Sequence, residues 1–463
     1  MGKIFVAKLY KNKKNYENKH LTVCGWIKFL RNSKKIGFIS LDDGTYIKPL
    51  QVIFLNSLKN FQDISNLNIG SAVCVYGKFI LTPNAKQPFE IKAEKINIIG
   101  KTPSDYILQK KKHSMEFLRT IIHLRPRTFT FAAINRIRSR AAFALQKFLQ
   151  DNDFFYIHSP IITTNDCEGA GETFTVTTMN LSNPPKTNTG IIDYEKDFFL
   201  KHTMLTVSGQ LQAECMASAL SRVYTFGPTF RAENSNTQRH AAEFWMLEPE
   251  IAFSDLSDTI NISSSLIKSA IDYVLKTSIS DFEFLSETYD KNLINKLENT
   301  VKNEFEIISY TEAVNILIKS KVKFEYEIKW GNDLQTEHER YLTEKIFKKP
   351  IFVVDYPKNI KAFYMRENKD NKTVAATDML FPGIGEILGG SQREERLDVL
   401  KDRMQKFKLK EEKYQWYLDL RRYGTMKHSG FGLGFERFIM YLTSMTNIRD
   451  VLPFPRTVKN ADF

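Results

Sequence analysis

The sequence predicts an α+β protein: a small five-stranded β-barrel first, then a larger domain of strands and helices. Three observations carry that prediction. Five short runs rich in β-branched and aromatic residues fall between about residues 20 and 100. An apolar repeat at spacings of three and four begins near residue 134. Residues 221–253 read as one long hairpin around a polar loop.

The five runs are LTVCGWIKFL, KIGFISLDD, LQVIFL, SAVCVYGKFIL and FEIKAEKINII, with N-S-K-K, D-D-G-T and T-P-N-A among the turns between them. Five strands in so short a stretch suit an oligonucleotide-binding fold, here residues 1–103. Its strands would offer Phe38 for base stacking and Gln51 for base-edge hydrogen bonds, with Arg31, Lys34 and Lys35 near phosphate. On the residues alone, Phe38 as a plain core residue is the simpler reading.

A polar stretch, residues 104–125, reads as a hinge with a short helix, and residues 126–463 form the second domain. There Ile134, Ile137, Ala141, Leu145 and Phe148 mark a helix that stops at D-N-D. It gives way to a strand, FFYIHSPIIT, entering Pro160. In VSGQLQAE, Ser208 is placed to cap a helix whose Gln210 and Glu214, four apart, share a side. Residues from about 255 to 345 read as mostly amphipathic helix with no chemical signature.

Chemistry concentrates in three stretches. In the hairpin FGPTFRAENSNTQRHAAEFWMLEPE, alternation puts Arg231 and Glu233 on one face of the first strand and Phe244, Met246 and Glu248 on one face of the second. A guanidinium, a bare ring and deep carboxylates together suit a nucleotide. In HSGFGLGFERF, Gly430, Gly432 and Gly434 let backbone approach a flat ligand and lead into a helix that projects Arg437. The G-x-G-x-G spacing, with fewer than thirty residues after it, excludes a dinucleotide fold. In ATDMLFPGIGEILGGSQREE, Asp378 and Glu386 bracket a Pro-Gly turn, and oxygen-only ligands beside phosphate imply Mg²⁺. Arg393 follows a Gly-Gly pair and can fold back into the same cavity.

Composition sets the outer bounds. A net charge of +13 fits a polyanionic partner or simply a basic surface. Cys24, Cys74, Cys167 and Cys215 form no C-x-x-C pair, which argues against zinc or a disulfide scaffold and fits a reducing cytosol. No apolar run approaches a membrane span, and the start shows neither a signal peptide nor, with Val6 where Ser or Thr is wanted, a myristoylation site. A soluble, cytoplasmic protein without membrane contact is expected.

These stretches, with HLRPRT, DCEGAGETF, TVSGQLQAE and GIGEILGGSQREERLD, resemble the class II aminoacyl-tRNA synthetases, and within them the asparaginyl-tRNA synthetases of bacterial type, along nearly the whole chain. FGPTFRAENSNTQRHAAEFWMLEPE is similar to that class's motif 2, GFGLGFERF to motif 3, and the helix and strand ending at Pro160 to motif 1, the dimer interface. The resemblance implies a six-stranded antiparallel catalytic sheet behind an anticodon-binding barrel, and a homodimer. It implies that Arg231 and Arg437 grip the phosphates of ATP, that Phe244 and Arg437 sandwich adenine beside Gly434, and that Arg239 and His240 approach the terminal phosphate. Glu233 would lie near adenine or the acceptor end, with Asp378 and Glu386 on Mg²⁺. Glu168, Ser208, Gln210 and Glu248 would surround the amino acid, and Arg31, Phe38 and Gln51 would read the anticodon.

The implied reaction activates L-asparagine and transfers it to tRNA(Asn). Aspartyl-tRNA synthetases are the alternative, but they place a lysine where this chain has Ala213. Arg393 would donate to the substrate amide oxygen and Glu214 accept from its nitrogen. Aspartate would meet Glu214 as a like charge, at about 4 Å a repulsion of roughly 4 kcal/mol for an effective dielectric of about 20.

Overall fold

The structure, a computed structural model, describes residues 2–167, 172–235 and 237–462. The chain divides into two compact units, Met1–Arg136 with Glu283–Leu285, and Ile137–Phe282 with Ser286–Phe463.

In the first unit, apolar alternation produces β1 (His20–Asn32), β2 (Ile36–Asp42), β3 (Leu50–Leu55), β4 (Ala72–Leu81) and β5 (Phe89–Gly100). They close in the order β1-β2-β3-β5-β4, with β3 and β5 parallel. This is an oligonucleotide-binding barrel. Its inward side chains, among them Val23, Ile39, Val52, Phe54, Phe79 and Ile91, are wholly buried. Each contributes roughly 1.5–3 kcal/mol by leaving water. The expectation of free cysteines fails here: Cys24 and Cys74 stand directly opposite on β1 and β4 and are bridged. Fifty residues separate them, so their spacing in the chain carried no hint of the pairing.

The second unit is built on an eight-stranded sheet of β6 (Phe155–Tyr156), β7 (Arg222–Phe230), β8 (Glu243–Ala252), β9 (Glu306–Ser309), β10 (Ile351–Pro357), β11 (Thr373–Phe381), β12 (Gly385–Gln392) and β13 (His428–Gly434). The spatial order is β9-β10-β11-β12-β13-β8-β7-β6. The six strands from β10 to β7 run antiparallel to their neighbours, as expected. Short parallel strands, β9 and β6, widen the sheet at its two edges. Thus the stretch 255–345 is not helix throughout, because Glu306–Ser309 pairs with β10.

Among the helices are α1 (Phe129–Asp151), α2 (Gln210–Leu220), α3 (Leu256–Thr288, kinked at Ser278), α4 (Gln415–Arg422) and α5 (Phe435–Thr443). The single strand expected into Pro160 is broken into Phe155–Tyr156 and Ile162–Thr163, with an exposed Pro160 between them. Proline has no N–H to give a ladder. The cap of α2 is also shifted by one residue: Gly209 is the N-cap, while Ser208 Oγ accepts from the Gln210 N–H at 3.1 Å.

Candidate active site

The long hairpin forms, but its first strand ends at Phe230. Arg231 and Glu233 therefore lie past the end of β7 and not on its face, the Arg231 N–H still donating to the Ala242 carbonyl at 3.0 Å. β7 and β8 pair from Arg222 with Ile251 to Phe230 with Glu243, so Phe244, Met246, Glu248 and Glu250 fall on one face of β8. Two cavities open over that face. The first is lined by Arg231, Glu233, Arg239, His240, Phe244, Glu386, Gly434 and Arg437, among others. The second is lined by Ser208, Gln210, Glu248, Glu250, Lys361, Tyr364, Asp378 and Arg393, among others. Arg231, Met246, Glu386 and Gly432 line both, so the two chambers meet at a guanidinium and a carboxylate.

In the first chamber the Arg231 guanidinium lies 5.5 Å from the centre of the Phe244 ring. Arg437, from the first turn of α5, donates to the Glu386 carbonyl at 2.9 Å and reaches its carboxylate at 3.4 Å. Arg239 donates to the Ile384 carbonyl. Burial pulls the Glu386 carboxyl upward, but Arg437, Lys361 and Arg231 outweigh it and hold it below its usual range. Three guanidinium groups in one lining, one of them over an aromatic ring, with an ionised carboxylate beside them, have the chemistry of a polyphosphate and base site.

In the second chamber Glu248 is fixed by Ser208 Oγ, by the Gly209 N–H at 2.9 Å and by Thr225 Oγ1 at 3.2 Å. At the far end Arg393 is bound twice by Glu250, through Nε at 3.2 Å and through Nη2, while Nη1 donates to Ser391 Oγ at 2.7 Å. Burial, with the charge of Glu214 adding to it, pushes the Glu250 carboxyl up to about 7 despite Arg393. Gly430 carries no side chain where a Cβ would strike that carboxylate. Lys361, half-buried in the same lining, donates to Asp378 Oδ2 at 2.6 Å.

Glu214 does not sit where the sequence places it. Its carboxylate is not part of the cavity lining, because Arg421, Tyr417, His428 and Gln210 surround it on four sides. The carboxylate facing Arg393 from the lining is Glu250. Extending the alternation of β8 by one more step, from Glu248 to Glu250, would have found it. Lys361, Tyr417, Arg421 and His428 were also missed, and no local pattern marks them. Glu168 lies outside the described residues.

On the barrel, Arg31 and Phe38 are cross-strand partners with the guanidinium 4.9 Å from the ring centre. Phe38 alternates with buried Gly37 and Ile39 and so faces outward, which removes the core reading. Gln51, also outward on β3, donates to Glu90 at 3.0 Å.

Known proteins give this arrangement a context. Residues 114–458 match the tRNA synthetases class II (D, K and N), and residues 21–99 match the OB-fold nucleic acid binding domain. The chain is 58% identical over 464 residues to an asparagine–tRNA ligase of Acetivibrio thermocellus and 58% identical over 463 residues to one of Clostridium tetani, covering 100% of each chain in both cases. It is similar to the crystal structure of asparaginyl-tRNA synthetase from Pyrococcus horikoshii complexed with asparaginyl-adenylate. The TM-score is 0.86 at 32% identity, over 99% of this chain and 98% of that one.

Proposed function

The chain belongs to the class II tRNA synthetases of the D, K and N group, and from that premise we propose that it is an asparagine–tRNA ligase. It activates L-asparagine with ATP and transfers it to the 3′ end of tRNA(Asn). The single observation that carries this reading is the junction of the two chambers at Arg231 and Glu386, with the Arg393–Glu250 pair closing the amino-acid end.

ATP occupies the first chamber, its adenine between Phe244 and Arg437 beside Gly434 and Glu233, and its terminal phosphate toward Arg239 and His240. Asparagine occupies the second, its ammonium among Gln210, Glu248 and Glu168. Its carboxylate is ionised at neutral pH, so it attacks the α-phosphorus without a general base. Pyrophosphate leaves, and the asparaginyl-adenylate remains. Arg231 and Arg437 take up the charge that grows on the phosphoryl oxygens, so catalysis is positioning and electrostatic stabilisation. A ribose hydroxyl of the terminal tRNA adenosine then attacks the mixed anhydride, and AMP departs.

Asp378 and Glu386 fit a magnesium ion. Both turn over Gly389, where a Cβ would come within 3.1 Å of Glu386 Oε1 and 3.4 Å of Asp378 Oδ1. Bound there, Mg²⁺ supplies counter-charge to the phosphates.

Amide recognition passes to the pair seen in the cavity: Arg393 donates to the side-chain oxygen and Glu250 accepts from the nitrogen. Aspartate would set its anion against Glu250, and Ala213 offers no lysine in compensation. The barrel, residues 1–103, reads the anticodon through Arg31, Phe38 and Gln51; residues 104–125 join it to a catalytic domain, 126–463. The enzyme works in the cytoplasm as a homodimer through the strip around Pro160. Among the described residues no helix is long and apolar enough to cross a membrane.

Aminoacylation of tRNA(Asn) and tRNA(Asp) with each amino acid tests the reading. Asparagine on tRNA(Asn) alone is expected, and aspartate activated as well as asparagine would overturn it.

A further inference from the structure

Behind Arg393, outside the cavity lining, lies a buried charge cluster that no step above uses. Glu214 Oε2 accepts from Arg421 Nη2 at 2.7 Å and Tyr417 OH at 2.8 Å, and lies 2.9 Å from His428 Nε2. Glu214 Oε1 accepts from Gln210 Nε2 at 3.0 Å and stands 4.0 Å from Arg393 Nε. The side chains of Glu214 and Arg421 are both 0% exposed. Among the described residues, Glu214 is the only carboxylate paired with Arg421, whose Nε donates instead to the Glu394 carbonyl at 3.0 Å. Its Nη1 has no hydrogen-bond partner.

The two carboxylates Glu214 and Glu250 therefore balance the two guanidinium groups Arg393 and Arg421. In a buried setting, an uncompensated charge a few ångströms behind a pocket wall is poorly screened and is felt by whatever binds there. Resting on the proposed asparagine activation, we infer that Glu214 is a specificity-determining residue that never touches the substrate: it cancels Arg421 and keeps the amide end of the pocket free of excess positive charge, so that asparagine is preferred to aspartate. Replacing Glu214 by a neutral residue of the same size removes the carboxylate that cancels Arg421 and so leaves one positive charge more there. The added charge favours a side-chain carboxylate.

The test is ATP–pyrophosphate exchange with asparagine and with aspartate, on the full-length enzyme at about pH 8, where Glu250 is a carboxylate. In Glu214→Gln the aspartate-to-asparagine ratio of kcat/KM should rise about tenfold or more. In the double variant Glu214→Gln/Arg421→Gln, which is balanced again, the ratio should return to within about threefold of the parent. A merely structural role would lower both substrates together and leave the ratio unmoved, and that result in Glu214→Gln would overturn the inference. If Glu214→Gln does not fold, Arg421→Gln shifts the charge the other way. Aspartate should then inhibit asparagine-dependent exchange about tenfold less well than in the parent, and an unchanged inhibition constant counts equally against the idea. Failure of the parent enzyme to activate asparagine at all would instead sink the proposed function.

Discussion

Arg231 lines both chambers, so its guanidinium is placed where a carboxylate and an α-phosphate would meet. Removing such a donor typically costs two to three orders of magnitude in rate. Arg231→Ala should lower asparagine-dependent ATP–pyrophosphate exchange by about 10²–10³-fold, and near-normal exchange would remove it from the reaction. Glu250 makes a second prediction at this scale, in the pH dependence of discrimination. Its carboxyl is raised to about 7, above the ordinary glutamate value, so it holds its proton below that pH and releases it above. Only the ionised form repels the aspartate side chain; the protonated form can donate to it. The aspartate-to-asparagine ratio of kcat/KM should therefore rise as pH falls from about 8 to about 6, by at most about tenfold per unit. A ratio flat across that range would mean that Glu250 stays ionised in the occupied pocket.

At the level of elements, what could be read in advance follows from periodicity. Strand alternation in β8 puts Phe244 and Glu248 on one face, because a period of two fixes it, and Arg231 joins them from just past the end of β7. Helical spacing likewise put Gln210 beside Glu214, and they are bonded at 3.0 Å. Periodicity did not say which way that pair looks, since α2 is buried at Leu211, Ala213 and Ala217 as well as at Glu214. The partners that decide it, Tyr417, Arg421 and His428, lie more than 200 residues away on α4 and β13. The edge strand β9 was hidden for a similar reason: four residues between helices gain their identity only from pairing with β10. The broken strand at Pro160 carries a prediction of its own. Phe155, Tyr156, Ile161 and Ile162 around it are all exposed, a strip of large apolar side chains that a homodimer would cover. Ile161→Asp should shift sedimentation from dimer toward monomer, and an unchanged dimer would place the interface elsewhere.

Across the whole molecule, two units imply two separable losses. The catalytic chambers lie in the second unit, and the outward Phe38, with Arg31 against its ring, lies in the first. A base stacked on one aromatic ring is worth about 1–3 kcal/mol, or roughly 5- to 150-fold in affinity. Phe38→Ala in the full-length enzyme should raise the KM for tRNA(Asn) within that range while leaving asparagine-dependent exchange unchanged, because exchange needs no tRNA. Salt should separate the same two functions. With a net charge of +13, much of the attraction for a polyanion comes from displaced counterions, so the tRNA KM should climb steeply between about 50 and 200 mM salt. The asparagine KM has no such term: its site is closed by buried, mutually compensated charges, and screening from solvent barely reaches them. Parallel losses in charging and exchange, whether from Phe38→Ala or from salt, would mean that the barrel supports the catalytic unit rather than reading tRNA.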